Sequence, residues 1–309
     1  MIKQILIATD GSTYSNQALA YVARLFGGEA EITVHLLNCT NPGHSSLPEP
    51  ADSENTLFPS SAESANKSLA ANSCLRQARE RLCRLGIAEN RITSSVVSTG
   101  GIADAIQRET ERLLADCILV ARRGIGFVGE MLLGSVSADL FRKCHLIPLW
   151  IIDGEPVSKD ILISIDGSCH SLMAVDHVAH ILSERRDIQI FLFHSRGPFQ
   201  NKAAFNKEQT HPRWGEQWCE TYLKGENAIL EGPRQLLLEA GIPPERITIL
   251  PKTTHFDESS SILSHARRHR CGTIVIGRSG RAGMRRQIWG DTADRTIKNT
   301  QNMALWVVG

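Results

Sequence analysis

Two hydrophobic rhythms alternate along this chain. Nearly continuous apolar runs, such as Ile5-Leu6-Ile7 and Cys117-Ile118-Leu119-Val120, give way to stretches whose apolar residues recur every three to four positions, such as Ala18, Leu19, Val22, Ala23 and Phe26. The first rhythm predicts strands buried on both faces, the second helices with one covered side. The first half reads as strands over 3–9, 31–38, 91–97, 117–121 and 146–152, with helices after Ser15, over 62–85, 103–114 and near 135–143. Ser15 is placed to cap the first helix and Gly27-Gly28 to end it. Residues 40–61, rich in Pro, Ser, Asn and Glu, predict a long mobile loop. The second half reads as strands over 159–165, 188–194, 246–250, 273–277 and 304–308, with helices over 170–183, 214–240, 258–269 and 292–299. Strands alternating with helices argue for an open parallel sheet covered on both faces.

The two halves are copies. Lys3-Gln4-Ile5-Leu6-Ile7-Ala8-Thr9-Asp10-Gly11-Ser12 recurs as Lys159-Asp160-Ile161-Leu162-Ile163-Ser164-Ile165-Asp166-Gly167-Ser168, an offset of 156 (166 minus 10). Gly124 and Gly280, Gly134 and Gly290, Ile32 and Ile188, and Ile106 and Ile262 keep the same offset. The expected fold is therefore α/β: two tandem doubly wound, five-stranded parallel-sheet domains, Rossmann-like with strand order 3-2-1-4-5, over 1–154 and 155–309. Few residues separate the last strand of the first copy from the first strand of the second. The two final strands are expected to meet across a pseudo-two-fold axis, making an intramolecular pseudo-dimer.

One stretch, 120–137, carries the chemistry. Val120-Ala121-Arg122-Arg123-Gly124 is followed, after nine residues, by Gly134-Ser135-Val136-Ser137. It lies between a strand and a helix start. Glycines let backbone approach a ligand closely, and helix-start N–H groups attract anions, so the stretch reads as a phosphate cradle. Open parallel sheets bind ligands beyond the carboxyl ends of their strands, and Asp10, Cys39, Gly124 and the Gly134 helix start all follow such ends.

Composition narrows the rest. The chain of 309 residues is 42% hydrophobic and 22% charged, with formal net charge +1, so no strong field favours nucleic acid or an anionic membrane. No apolar run approaches the roughly 18 residues of a membrane-crossing helix. The opening residues lack a signal peptide's apolar core and cleavage site. The eight cysteines show no C-x-x-C pair and suit a reducing compartment, so a cytoplasmic protein is expected.

At the Asp-Gly-Ser turn and the glycine loop the sequence resembles the universal stress protein family, whose nucleotide motif is G-x2-G-x9-G-[S/T] after an early strand ending in Asp. The resemblance covers essentially the whole chain twice, as a tandem member would. It implies an adenine nucleotide as ligand, ATP favoured, with Mg²⁺ able to accompany it. It further implies that Asp10 meets the adenine or ribose and that Cys39 lies against the adenine through its backbone. Ala121, Arg123 and Gly124 line the ribose and first phosphates, while Gly134, Ser135, Val136 and Ser137 hold the outer phosphates through N–H groups and hydroxyls. One departure is Ala121, where the motif has Gly: its methyl crowds the ligand or disfavours a positive φ.

The second copy departs further. Its corresponding residues are Asp166, Ser195, Gly277, Ser279, Gly280, Gly290, Asp291 and Thr292. Asp291 replaces the hydroxyl residue, where it can cap the helix itself and repel a phosphate unless a metal intervenes. Arg278, Arg281, Arg285 and Arg286 offer an offsetting charge. The expectation is a nucleotide site in the first copy and a degenerate one in the second.

Other motifs are read blandly. Gly124-Ile125-Gly126-Phe127-Val128-Gly129 imitates a dinucleotide fingerprint but follows the fourth strand rather than the first and does not recur in the second copy. Gly129 to Ser135 resembles a P-loop without its Lys. His265 and His269, and likewise His177 and His180, read as solvated polar faces rather than zinc ligands. The Arg-rich stretch 278–286 lacks the aromatic platform of an RNA binder, so nucleic acid is not expected as a partner. Asp10 and Asp166 have turn-forming as an alternative role. Trp214 and Trp218 read as packing for one long helix. Three functions stay open: a nucleotide-responsive regulatory protein with no chemical step, a slow nucleotide hydrolase using Ser135, Ser137 and Mg²⁺, and a scaffold that has lost its ligand. Association of two chains into a homodimer is open as well.

Overall fold

A computed structural model of the chain describes residues 2–41, 61–124, 133–183, 185–196, 205, 207–225, 227–251, 253–254, 257–278 and 291–309. The described residues up to Gly124, together with Gly134–Leu140, form one compact unit, and those from Phe141 onward belong to a second. Within each repeat the strand order is the expected 3-2-1-4-5. No helix among the described residues is long and apolar enough to cross a membrane.

In the first unit β1 (Lys3–Ala8) pairs in parallel with β2 (Ile32–Thr40) and β4 (Cys117–Ala121), and β2 pairs with β3 (Ile92–Ser98). The helices are α1 (Thr13–Phe26), α2 (Ser61–Arg84), α3 (Ile102–Leu113) and α4 (Ser135–Lys143). The loop expected over 40–61 lies outside the described residues from 42 to 60. The cap of α1 is Ser12, not Ser15: the Ser15 N–H donates to Ser12 Oγ at 3.1 Å and the Ser15 hydroxyl returns to the Ser12 carbonyl at 3.0 Å. Helix therefore starts directly after the turn, because Gly11 takes φ +78° and reverses the chain at once.

Strand parity sorts the covering helices. Residues 35 and 38 of β2 point to opposite faces. Asn38 meets Cys74 of α2 at 3.6 Å, and His35 meets Glu109 of α3 at 3.4 Å. The His35 contact is part of a polar chain that runs from the buried imidazole out to the surface. Ser95 donates to Glu109 at 3.0 Å, so the His35 Nε2–H must donate to Ser95 Oγ at 2.8 Å. Nδ1 then accepts from the Thr93 hydroxyl at 2.8 Å. Arg112 closes the chain on Glu109 at 2.7 and 2.8 Å.

The second unit holds β5 (Leu149–Ile152), β6 (Ile161–Ser164), β7 (Ile190–Phe193), β9 (Ile247–Ile249), β11 (Thr273–Gly277) and β12 (Ala304–Val308). β12, β11, β6, β7 and β9 run parallel in that order, and β5 joins β12 antiparallel, with Trp150 opposite Trp306. The two indoles stack at 3.8 Å, both fully buried, and Trp150 donates to Nε2 of His177 at 3.1 Å. The strands β8 (Ser195–Arg196) and β10 (Thr253–Thr254) pair apart from the main sheet.

The helices here are α5 (Cys169–Leu182), α6 (Lys207–Trp214), α7 (Glu216–Tyr222), α8 (Ala228–Glu239), α9 (Glu258–Arg268) and α10 (Asp291–Asn299). The single helix expected over 214–240 is thus broken. Gly215 and Gly225 take positive φ, and the α-carbon of Gly232 sits so close to Leu223 that a methyl there would collide with it. The chain folds α7 back onto α8 through that missing side chain. Trp214 and Trp218 consequently flank a helix junction, their rings 6.4 Å apart, and Trp218 donates to Glu239 at 3.0 Å.

The solvated histidine faces are also corrected. His177 is buried, and His265 is 9% exposed and stacked on Phe193 at 4.3 Å, while His269 lies 5.0 Å from Phe191. Residues i and i+4 of a helix rise about 6 Å, close to the rise of i and i+2 along a strand, so two ring pairs fit side by side. No cluster of three or more metal-ligating side chains occurs among the described residues.

The Glu109 network makes a pH prediction. The hydrogen bond from Arg112, with further help from Ser95 and His35, outweighs burial and holds the carboxyl at about 2. The unfolded carboxyl titrates near roughly 4.3, so the stabilisation is present above that pH and is lost as pH falls toward about 2. Glu109→Gln is expected to cost about 1–2 kcal/mol at neutral pH and to reduce the drop in urea midpoint between about pH 5 and pH 3. An equal acid-induced drop in wild type and variant would assign the effect elsewhere.

Candidate functional site

The first-repeat edge starts where β1 stops. Thr9 continues the ladder, its N–H donating to the Leu37 carbonyl at 2.9 Å, and its own carbonyl accepts from the Asn38 side chain at 2.8 Å. The chain then turns. Asp10 Oδ1 accepts from the Ser12 N–H at 3.0 Å, so Asp10 does form the turn, and it remains exposed. Asn38 was not singled out by sequence reading. The available signal was a polar residue inside an apolar strand whose counterpart, at the repeat offset, is His194. That ring nitrogen sits 2.7 Å from the Ile165 carbonyl, and because a carbonyl only accepts, it donates as Asn38 does. Each side chain fixes the carbonyl that precedes the turn aspartate.

Three segments meet at this edge. A β-carbon added to Gly124 would lie 2.7 Å from Asp10 Oδ2, so the turn carboxylate rests against the end of the β4 loop in the space a side chain at 124 would take. The Gly134 N–H donates to the Arg122 carbonyl at 2.8 Å, and its own carbonyl accepts from the Ala138 N–H at 2.8 Å. Gly134 therefore caps α4, and Ser135, Val136 and Ser137 supply the first N–H groups, which have no acceptor within the helix. Ser135 is exposed. Arg123 follows β4 with its guanidinium over the Tyr14 ring, 5.5 Å from the centroid.

Two expectations change. Ser137 is buried and its hydroxyl donates to the Ala121 carbonyl at 2.7 Å, so its proton secures the helix to β4 rather than reaching a ligand. Ala121 is an ordinary strand residue without positive φ, so the departure from Gly strains nothing. Burial, and Glu109 next, push the Cys39 thiol up to about 11, so it stays protonated; the contact expected of Cys39 is through its backbone and is untouched by this. The residues of the dinucleotide-like run beyond Gly124, and Gly129 of the P-loop-like run, lie outside the described residues.

The second-repeat edge is differently furnished. Asp166 accepts from Ser168 N–H and Oγ at 2.9 and 2.6 Å, forming the same turn. Gly277, the counterpart of Ala121, lies so near the backbone of His170 and Ser171 that a methyl group would overlap both. Thr292 donates to Glu258 at 3.0 Å, which places a carboxylate beside the start of α10 where the first repeat has Ile102. Arg278 turns away from this edge: its guanidinium donates to the Phe141 and Cys144 carbonyls at 2.6 Å and lies over the Phe141 ring. Ser195 sits in β8, in register with Thr253. Ser279, Gly280 and Gly290, with Arg281, Arg285 and Arg286, lie outside the described residues, as does the side chain of Asp291, which opens α10.

This asymmetry has a measurable consequence. Gly277→Ala must push α5 off β11 and is expected to cost about 2–3 kcal/mol, whereas the reciprocal Ala121→Gly loses one buried methyl and some backbone rigidity, about 1 kcal/mol. Urea unfolding of the two variants checks the ordering; equal costs would mean that the two edges are packed alike.

The Universal stress protein family model matches residues 1–153 and again 158–307. A solved universal stress protein from Archaeoglobus fulgidus DSM 4304 aligns over 99% of this chain and 97% of its own, at 16% identity and a TM-score of 0.64. A protein of unknown function from Pseudomonas aeruginosa PAO1 aligns over 99% and 92%, at 16% identity and a TM-score of 0.59. At such identities the likeness concerns the fold. No curated protein matches the chain. Two family matches over two copies of one α/β module, each with its turn aspartate at the end of the first strand, show that this chain belongs to the universal stress protein family and carries two of its domains in tandem.

Proposed function

We propose that this protein is a nucleotide-responsive regulator of the stress response that binds one adenine nucleotide, ATP in preference, in the crevice of its first repeat, in the cytoplasm and without a chemical step of its own. The observation that carries the reading is the convergence of Asp10, Gly124 and Gly134: the missing side chains bring a carboxylate, a loop and a helix start to one edge. A carboxylate suits ribose or adenine donors, and the α4 N–H groups suit phosphate oxygens. Mg²⁺ arrives on the phosphates in this reading. A regulatory role is supported by the engagement of the Ser137 proton with Ala121 and by the protonated state of Cys39, which leave neither as an activated nucleophile.

The second repeat takes no nucleotide in this reading, which rests on Gly277 closing against α5 and on Glu258 beside the α10 start. The pairing of the repeats as an intramolecular pseudo-dimer is likewise proposed, and the antiparallel β5–β12 ladder supports it.

Native mass spectrometry of the freshly purified chain is expected to show one bound nucleotide per chain, and calorimetry to show ATP binding that Gly134→Asp weakens by at least about tenfold, since the new carboxylate faces the phosphates. Single-turnover assays with labelled ATP are expected to give the same slow release in both proteins. Faster release in wild type would make the protein a hydrolase; no heat and no co-purified nucleotide would make it a scaffold.

A further inference from the structure

The second repeat carries three half-exposed aromatic side chains in a row. Trp214 ends α6, and Trp218 and Tyr222 follow on α7 at four-residue intervals. The ring centroids are 6.4 and 5.3 Å apart, and successive rings are inclined by 31° and 49°. The helix between the second and third strands of the first repeat, α2, contains no aromatic residue, so the row belongs to the second repeat alone. A carboxylate anchors its middle. The Trp218 indole N–H lies between both oxygens of Glu239, at 3.1 and 3.0 Å, and the Gln235 amide donates to the same carboxylate at 2.9 Å. Glu239 is exposed and has no cationic partner among the described residues. One end of the row already takes a cation: Arg213 lies over the Trp214 ring, 5.6 Å from its centroid, and is paired with Asp176.

We propose that Trp218 and Tyr222, with Glu239 at their edge, bind a small quaternary ammonium ion. The charges favour a cation: Arg213 and Asp176 cancel one another, which leaves the Glu239 carboxylate uncompensated beside the rings. A carboxylate that accepts from an indole N–H also pushes electron density into the ring and strengthens the negative potential of its face. The ring angles select the shape of the ligand. A flat base or sugar ring cannot lie on two faces inclined by 49°, whereas a nearly spherical ion meets both. Hydration selects its chemistry. A compact ammonium such as that of lysine holds its water at a half-exposed site, while a quaternary nitrogen sheathed in methyl groups gains from apolar contact and from charge together. The local fold holds the parts in place, because the close approach of Leu223 to Gly232 lays α7 on α8 and so brings Trp218 to Glu239. The site is independent of the nucleotide reading of the first repeat.

The test titrates the full chain with choline and with its neutral carbon isostere, dimethylbutanol, for wild type, Glu239→Gln and Trp218→Leu. Calorimetry is expected to give choline a Kd on the order of 1 mM and dimethylbutanol binding at least about tenfold weaker. Glu239→Gln keeps an acceptor for the indole N–H and removes the charge; it should weaken choline about threefold or more and leave dimethylbutanol unchanged. Trp218→Leu should weaken choline about fivefold or more. In NMR spectra the Trp218 indole signal, identified by its loss in Trp218→Leu, should move with choline and stay in place with dimethylbutanol. Equal affinity of wild type for the two molecules, no choline binding at all, shifts confined to other indoles, or wild-type choline affinity in Glu239→Gln overturns the proposal. The comparison of choline with its isostere needs no variant, so the outcome holds even where a substitution disturbs folding.

Discussion

One main-chain hydrogen bond, from the Gly134 amide to the Arg122 carbonyl at 2.8 Å, holds the start of α4 against the end of β4. The geometry of the first-repeat edge depends on that proximity. A side chain at 134 would begin 3.2 Å from the same carbonyl, so the approach is tight even for a methyl. Once the helix start is seated, the Ser137 hydroxyl reaches the Ala121 carbonyl and fixes the first turn a second time. The N–H groups of that turn are then presented at the edge where β1 ends and Asp10 turns the chain. This edge is held together largely by backbone contacts and close glycine approaches.

The two repeats show how far one architecture tolerates different interiors. Both use a serine to cap the first helix in the same way, and both use a side chain of the second strand to hold the carbonyl before the turn, Asn38 in one and His194 in the other. Beneath these shared devices the packing diverges. Where the first repeat buries His35 against Glu109, the second places Phe191 and His265, which join an aromatic row with Phe193 and His269. A hydrogen-bonded chain and a stack of rings solve the same task of joining a strand to the helix above it. The first is sensitive to acid through Glu109, while the second depends on ring contact.

Divergence at the edge matters more than divergence inside. In the second repeat α5 lies so close to β11 that residue 277 must be glycine, and Glu258 stands at the entrance to α10. Arg278, whose position suggests a phosphate ligand, instead spends its donors on the carbonyls at the end of α4. Burial holds that guanidinium below its ordinary basicity, which fits a group held for structure by neutral carbonyls rather than by an acid. Spacing alone would have rated the two loops nearly equal.

The sequence by itself determined the repeat, the alternation of strand and helix, the parallel sheet and the turn aspartates. All of these follow from local periodicity and from glycine positions, which hold wherever the chain sits. It located β4 and α4 to the residue, because an apolar run and a glycine mark their ends without help from neighbours. It misplaced the α1 cap by three residues, since both Ser12 and Ser15 suit the task and only the positive φ of Gly11 decides between them. It joined α7 and α8 into one helix, since Gly232 permits a helix as well as the close contact with Leu223 that folds the pair. The destinations of individual protons and charges belonged to the tertiary structure alone. Ser137 donates to a strand sixteen residues earlier and Asn38 to one twenty-nine residues earlier, while Arg278 reaches back more than a hundred residues. A hydrogen bond is a short-range contact between groups far apart in the chain, and no pattern of neighbours along the sequence encodes which distant carbonyl a donor will find.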